Sequence, residues 1–94
     1  MAENSKIEWT DSSAAREIAA KLSAAQKRLV MLSEPDDVTG EEGCGVDISG
    51  AQYRTARSLR ALGIGDYTHG SFIADMYWNN AAGLAVRAIL EGRE

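Results

Sequence analysis

Between Glu34 and Asp47 the chain reads EPDDVTGEEGCGVD, six acids and three glycines around the only proline in the sequence, with no apolar period. Such a stretch offers neither a helical stripe nor a strand alternation to bury, and its proline stops any helix that precedes it, so it reads as a loop. The fold must therefore be assembled from two parts brought together across it. They differ in charge: residues 1–47 hold five Lys/Arg and ten Asp/Glu, net −5, whereas residues 48–94 hold five arginines, no lysine and four acids, net +1. Arginine is the cation best shaped for bidentate contact with phosphate or base edges.

The material for a core is thin. Of 94 residues 45% are apolar, yet 15 of these are alanine, which leaves 27 larger apolar side chains for a chain already at the small end of independent folding. One domain over residues 12–94 is expected, preceded by a tail or short strand over 1–11, where Ile7 and Trp9 alternate with polar neighbours. With Cys44 as the single cysteine and His69 as the single histidine, neither an internal disulfide nor a zinc set can be composed. No apolar run approaches a membrane span and no leader pattern opens the chain, so a soluble cytoplasmic protein of a bacterial cell or a phage host is expected, with no membrane partner.

From Ser12 onward, Ala15, Ile18, Leu22, Ala25, Leu29 and Leu32 recur at spacings of three and four, the period of a helix with one apolar face. The spacing predicts a helix over about 12–33, capped by Asp11, Ser12 or Ser13 and ended by Pro35, with Ser23 a place where it can divide in two. Packing on its own domain is favoured over an intermolecular seam. In the loop that follows, Asp36, Asp37, Glu41, Glu42 and Asp47 do not follow the alternating ligand order of a calcium loop, so solvated carboxylates are expected. Cys44, between two glycines, lacks a neighbouring cation to activate it as a nucleophile.

Residues 50–62, GAQYRTARSLRAL, read as a helix closed by Gly63. Thr55, Leu59 and Leu62 gather on its inner side with Gln52 and Ala56 at the margin. Arg54, Arg57 and Arg60 lie opposite, three guanidinium groups along about 9 Å of helix with Tyr53 beside them. Two strand-like runs follow, Ile64–Thr68 and Phe72–Trp78, joined through His69, Gly70 and Ser71 as a β-hairpin. Asn80 caps a last helix over about 81–91, with Leu84, Ala85, Ala88 and Ile89 on one arc. Val86 and Leu90 face another way, which predicts burial against a second subunit and a homodimer.

The segments ARSLRALGI and YWNNAAGLAV, within Ser49 to Leu90, resemble the winged helix-turn-helix DNA-binding family: the end of a recognition helix feeding a wing strand, then a second wing strand turning into a capped helix. Tyr77 and Gly83 match that family's Tyr-x-Leu-Thr-x-x-Gly pattern, with Asn79 and Asn80 in place of Leu and Thr. The helix that supports the recognition helix in the family is replaced here by the acidic loop. The resemblance implies an α+β winged-helix-like domain in which Gln52, Tyr53, Arg54, Arg57 and Arg60 enter or border the major groove, while Thr68, His69 and Ser71 approach the backbone. The opening NSKIEWTD resembles the start of a phage-encoded radical-type iron–sulfur family, without the cysteines that follow there, and points to a phage or mobile-element origin.

Two functions are expected from these readings. The first is a small DNA-binding transcriptional regulator acting on duplex DNA. The alternative is a phage protein-interaction module, of anti-CRISPR type, that docks on a host defence complex through Asp36, Asp37, Glu41 and Glu42. No cofactor and no enzymatic activity are expected, because no metal set, phosphate-cradling glycine motif or nucleophile–base pair can be composed from these residues.

Overall fold

A computed structural model of the protein describes residues 12–70 and 72–92. The short strand or tail read over residues 1–11, the capping role of Asp11 and the placement of Ser71 lie outside them. The described residues form a small α+β domain in the order α1 (Ser12–Lys21), α2 (Ala24–Leu32), β1 (Val46–Asp47), α3 (Gln52–Ala61), β2 (Gly65–Tyr67), β3 (Met76–Asn79) and α4 (Ala81–Leu90). No helix among them is long and apolar enough to cross a membrane.

The first amphipathic stretch divides at Ser23. The Ser23 hydroxyl accepts the Gln26 amide at 3.2 Å while its own N–H donates to the Gln26 side chain at 2.8 Å, a reciprocal capping box that starts α2 afresh. The restart shifts the buried stripe. Ala15 and Ala19 face inward from α1, Leu22 from the junction that follows it, and Leu29 and Val30 from α2, whereas Ala25 and Leu32 are exposed.

The loop expected over 34–47 is more regular than its composition suggests. Pro35 bridges Gly43, the Asp36 amide donates to the Glu42 carbonyl, and the Cys44 amide donates to the Glu34 carbonyl at 2.7 Å. Its last two residues are a strand: β1 pairs antiparallel with β3, Val46 opposite Tyr77 and Asp47 opposite Met76. On the other side β2 pairs with β3, Gly65 opposite Asn79 and Tyr67 opposite Tyr77, giving the sheet order β1-β3-β2. The hairpin strands are shorter than predicted, and Phe72 and Ile73 fall in the connection between them rather than in β3. Within β3 side chains alternate, with Tyr77 and Asn79 buried and Met76 and Trp78 turned outward and half-buried.

Helix α3 ends where the sequence placed its stop: Gly63 takes a φ of +82° and donates its N–H to the Arg60 carbonyl. Its inner face differs by one position from the predicted one. Ala56 and Leu59 are fully buried, and Leu62 is 45% exposed because it lies at the C-cap, past the last turn, with Ile64 taking up the core beyond it.

The same correction applies to α4. Val86 is 1% exposed and belongs to the domain's own core, with Leu90 packed against that core. Helix α4 packs on α1, α2 and β3, so Val86 has no surface to offer a second subunit, whereas Leu90 remains half-buried. Gly83 makes this packing possible, since a Cβ at that position would stand 2.0 Å from the Ile64 carbonyl oxygen.

Candidate nucleic-acid interface

Burial of Ala56 and Leu59 fixes how α3 turns its other side chains. At 100° per residue, Arg54 stands opposite the core, Arg57 at the shoulder, and Tyr53 and Arg60 on the flank where β2 and the hairpin connection pack. The three arginines are all exposed, as predicted, but they do not form one equivalent row. The Arg60 Nε lies 3.4 Å from the Asp66 carboxylate, and its guanidinium is 5.7 Å from the centre of the Tyr67 ring. Both members of the ion pair are largely solvated, so it contributes no more than about 1 kcal/mol and leaves the cation available to a stronger anion. Arg54 and Arg57 make no ion pair with any described residue.

The remaining predicted contacts are partly committed elsewhere. The Gln52 side-chain oxygen accepts the Ser49 amide at 3.0 Å, a helix-start role. The Thr68 hydroxyl accepts the Met76 amide at 3.0 Å and closes the hairpin. Tyr53 is half-buried, its hydroxyl donates to the Asp75 carboxylate, and its ring meets His69 edge-on with centroids 4.8 Å apart. The hydrogen bond to Asp75 comes first among the causes that raise the Tyr53 pKa above 10.0, followed by desolvation and by the charge of Asp75. One aromatic residue of α3 thus touches both stems of the β2–β3 connection, and the arginine helix and the hairpin form one continuous surface.

The acidic loop reaches the outer side of the hairpin, where Glu42 lines a groove of about 390 Å³ with Thr68, Ile73 and Trp78. Asp36 is turned inward on its own loop, its carboxylate accepting the Thr39 amide and hydroxyl at 3.2 and 3.3 Å. Asp37, Glu41 and Glu42 are exposed, and the last two line an open groove of about 580 Å³ with Thr39, Gly40, Ala81 and Leu84. No group of three or more His, Cys, Asp or Glu among the described residues is arranged to hold a metal ion. Cys44 is exposed, while its backbone carbonyl accepts the Ser33 hydroxyl at 2.9 Å.

Three polar residues to which the sequence reading gave no structural role prove central to the architecture. Asn79 is fully buried; its amide nitrogen donates to the carbonyls of Val30 and Ser33, both at 2.9 Å, and its oxygen accepts the Tyr77 hydroxyl at 2.7 Å. The Ser33 hydroxyl accepts the Asn79 backbone amide at 2.9 Å. Arg87 donates from Nε to the Met31 carbonyl at 3.1 Å and pairs with Glu91 at 2.8 Å. These groups complete the carbonyl end of α2, where backbone amides reach only the Val30 and Leu32 carbonyls. The only signal in the sequence was a doubled asparagine directly after an aromatic strand. No family model, no curated protein and no solved structure matches the chain.

Proposed function

We propose that this domain is a small DNA-binding regulator of winged-helix-like design, with α3 entering the major groove and the β2–β3 hairpin serving as the wing. The observation that carries the reading is the pair Arg54 and Arg57, exposed and without an acidic partner among the described residues, on a helix braced against the hairpin by Tyr53. Further support comes from the element order from β1 onward and from the strand order β1-β3-β2, with β3 leading through the Asn80 cap into α4. Arg54 and Arg57 have the reach and geometry for guanine O6 and N7, and Arg60, already near Asp66, for phosphate. His69 borders the backbone beside them. Of the acids near this face, Asp66 is paired with Arg60 and Asp75 accepts the Tyr53 hydroxyl, which leaves Arg54 and Arg57 unanswered.

The reading differs from the usual design in one respect. Where a supporting helix stands before the recognition helix, this chain has the two-residue strand β1 and a short turn, and α3 is held instead by α2 and β2. Titration of duplex DNA at two salt concentrations tests the proposal, since the slope counts the phosphates engaged. Salt-sensitive binding that falls at least about tenfold in Arg57→Glu supports it. A flat titration, together with loss of cellular activity on changing Asp37, Glu41 and Glu42, favours the protein-docking alternative, for which the hydrogen-bonded acidic loop offers a shaped surface.

A further inference from the structure

An open groove of about 370 Å³ separates α1 from the end of α3. Helix α1 packs chiefly on α4, and α3 on β2 and α2, so the groove lies between two helices that find their partners elsewhere. One wall carries Glu17, Ile18 and Lys21, and the other Ser58 and Leu62. Between them the Gln26 side-chain nitrogen donates to the Ser58 hydroxyl at 2.9 Å, which ties the start of α2 to α3. Both large apolar members are incompletely covered, Ile18 half-buried and Leu62 45% exposed. The acidic loop contributes no residue to this groove.

The charges on the α1 wall say what fits there. Glu17 and Lys21 stand one helical turn apart on the same side of α1, a spacing at which such side chains commonly pair. Here neither makes an ion pair, with the other or with any described residue. A two-fold contact needs a surface that is its own complement. One acid and one base placed symmetrically about a point on a helix meet that condition. A two-fold axis passing between them lays a second copy of α1 antiparallel to the first, with the Glu17 of each copy facing the Lys21 of the other. A foreign partner has to reproduce this pattern, whereas a second copy carries it by construction. Ala14 shares that side of the helix, one turn before Ile18, and leaves room for close approach. The core supplies a further reason. Of its twelve buried apolar residues four are alanine, and the one cysteine is free, so no disulfide reinforces it. Association is a usual route to stability for a small chain of this kind.

We propose that the protein forms a two-fold dimer through the groove between α1 and α3, with α1 antiparallel to its copy and Glu17 paired with Lys21 twice across the axis. Burial of Ile18 and Leu62 supplies the apolar part of the contact. None of the residues assigned to DNA takes part, so the dimer stands or falls separately from that reading.

Sedimentation equilibrium of the whole chain, from about 1 to 500 µM, reads the association directly. The wild type is expected to pass reversibly from monomer to dimer within that range, and to do so less readily as salt is raised. Glu17→Lys gathers four cations at the axis and Lys21→Glu gathers four carboxylates, and each is expected to weaken the dimer at least about tenfold. The two variants mixed in equal amounts are expected to form a dimer that neither forms alone at the same concentration. The chain carrying both changes is expected to regain the wild-type association. Recovery by mixing excludes misfolding as the cause of the loss. A dimer that survives either single reversal, or a mixture no heavier than its components, overturns the proposal. A wild-type chain that stays monomeric throughout overturns it in favour of a foreign segment of mixed charge.

Discussion

The seam around Asn79 and the outer face of α3 treat polar groups in opposite ways. At the seam Asn79, Ser33 and Arg87 are buried, and each has its donors and acceptors matched, chiefly to the carbonyl end of α2. On α3, Arg54 and Arg57 are solvated and carry charge that nothing described in the chain answers. A buried polar group without a partner costs stability, so the seam is complete because folding requires it. An exposed arginine costs little, so the α3 face can be kept incomplete for something outside the molecule.

Replacing Asn79 with Leu is the strongest way to break this contrast, because it strands the Ser33 carbonyl and the Tyr77 hydroxyl in the interior and takes from the Val30 carbonyl one of its two donors. A loss of about 4 kcal/mol is expected, read as an early urea midpoint. Gly83→Ala tests the packing beneath the seam, where the new methyl group has to displace backbone of the Ile64 segment. About 3 kcal/mol is expected to be lost, with α4 the first helix to lose hydrogen-exchange protection.

Alkaline pH probes the seam without a substitution. Burial raises the Tyr77 pKa well above 10.0, so the unfolded chain releases this proton before the folded one does. The stabilisation from keeping Tyr77 neutral is complete below pH 10 and is lost as pH climbs past the unfolded value. Melting temperature should fall steeply above about pH 10, and less steeply in Tyr77→Phe measured against its own value at pH 8. Ser23→Ala should cost about 1 kcal/mol by removing half of the capping box between α1 and α2. At the small end, Arg54→Ala and Arg57→Ala should shift stability by less than about 0.5 kcal/mol while weakening duplex binding. A large stability loss in either would mean that the α3 face belongs with the seam after all.

The parts of this architecture that depend on neighbouring residues in sequence were legible. Pro35, Gly63 and Asn80 mark helix ends by their own chemistry, and the turn from β2 to β3 follows from apolar runs flanking His69 and Gly70. The exposure of Arg54 and Arg57 follows from helical spacing alone. What depends on distant partners was not legible. Strand β1 exists because Val46 meets Tyr77 across the fold, and composition around it argues only for a loop. The inner arc of α4 is set by its packing on α1, α2 and β3 together, which buries Val86 and brings Arg87 to the end of α2. In the site, the pairing of Arg60 with Asp66 and the tie from Tyr53 to His69 and Asp75 required knowing that the hairpin returns alongside α3.

Strand β3 is flanked by only two paired residues of β1 on one side and three of β2 on the other. Margins this brief give a foreign strand little backbone to register against, and Asp47 and Asp66 place a carboxylate on each. Both margins are thereby poor templates for strand addition, a safeguard against fibre growth in a small alanine-rich domain.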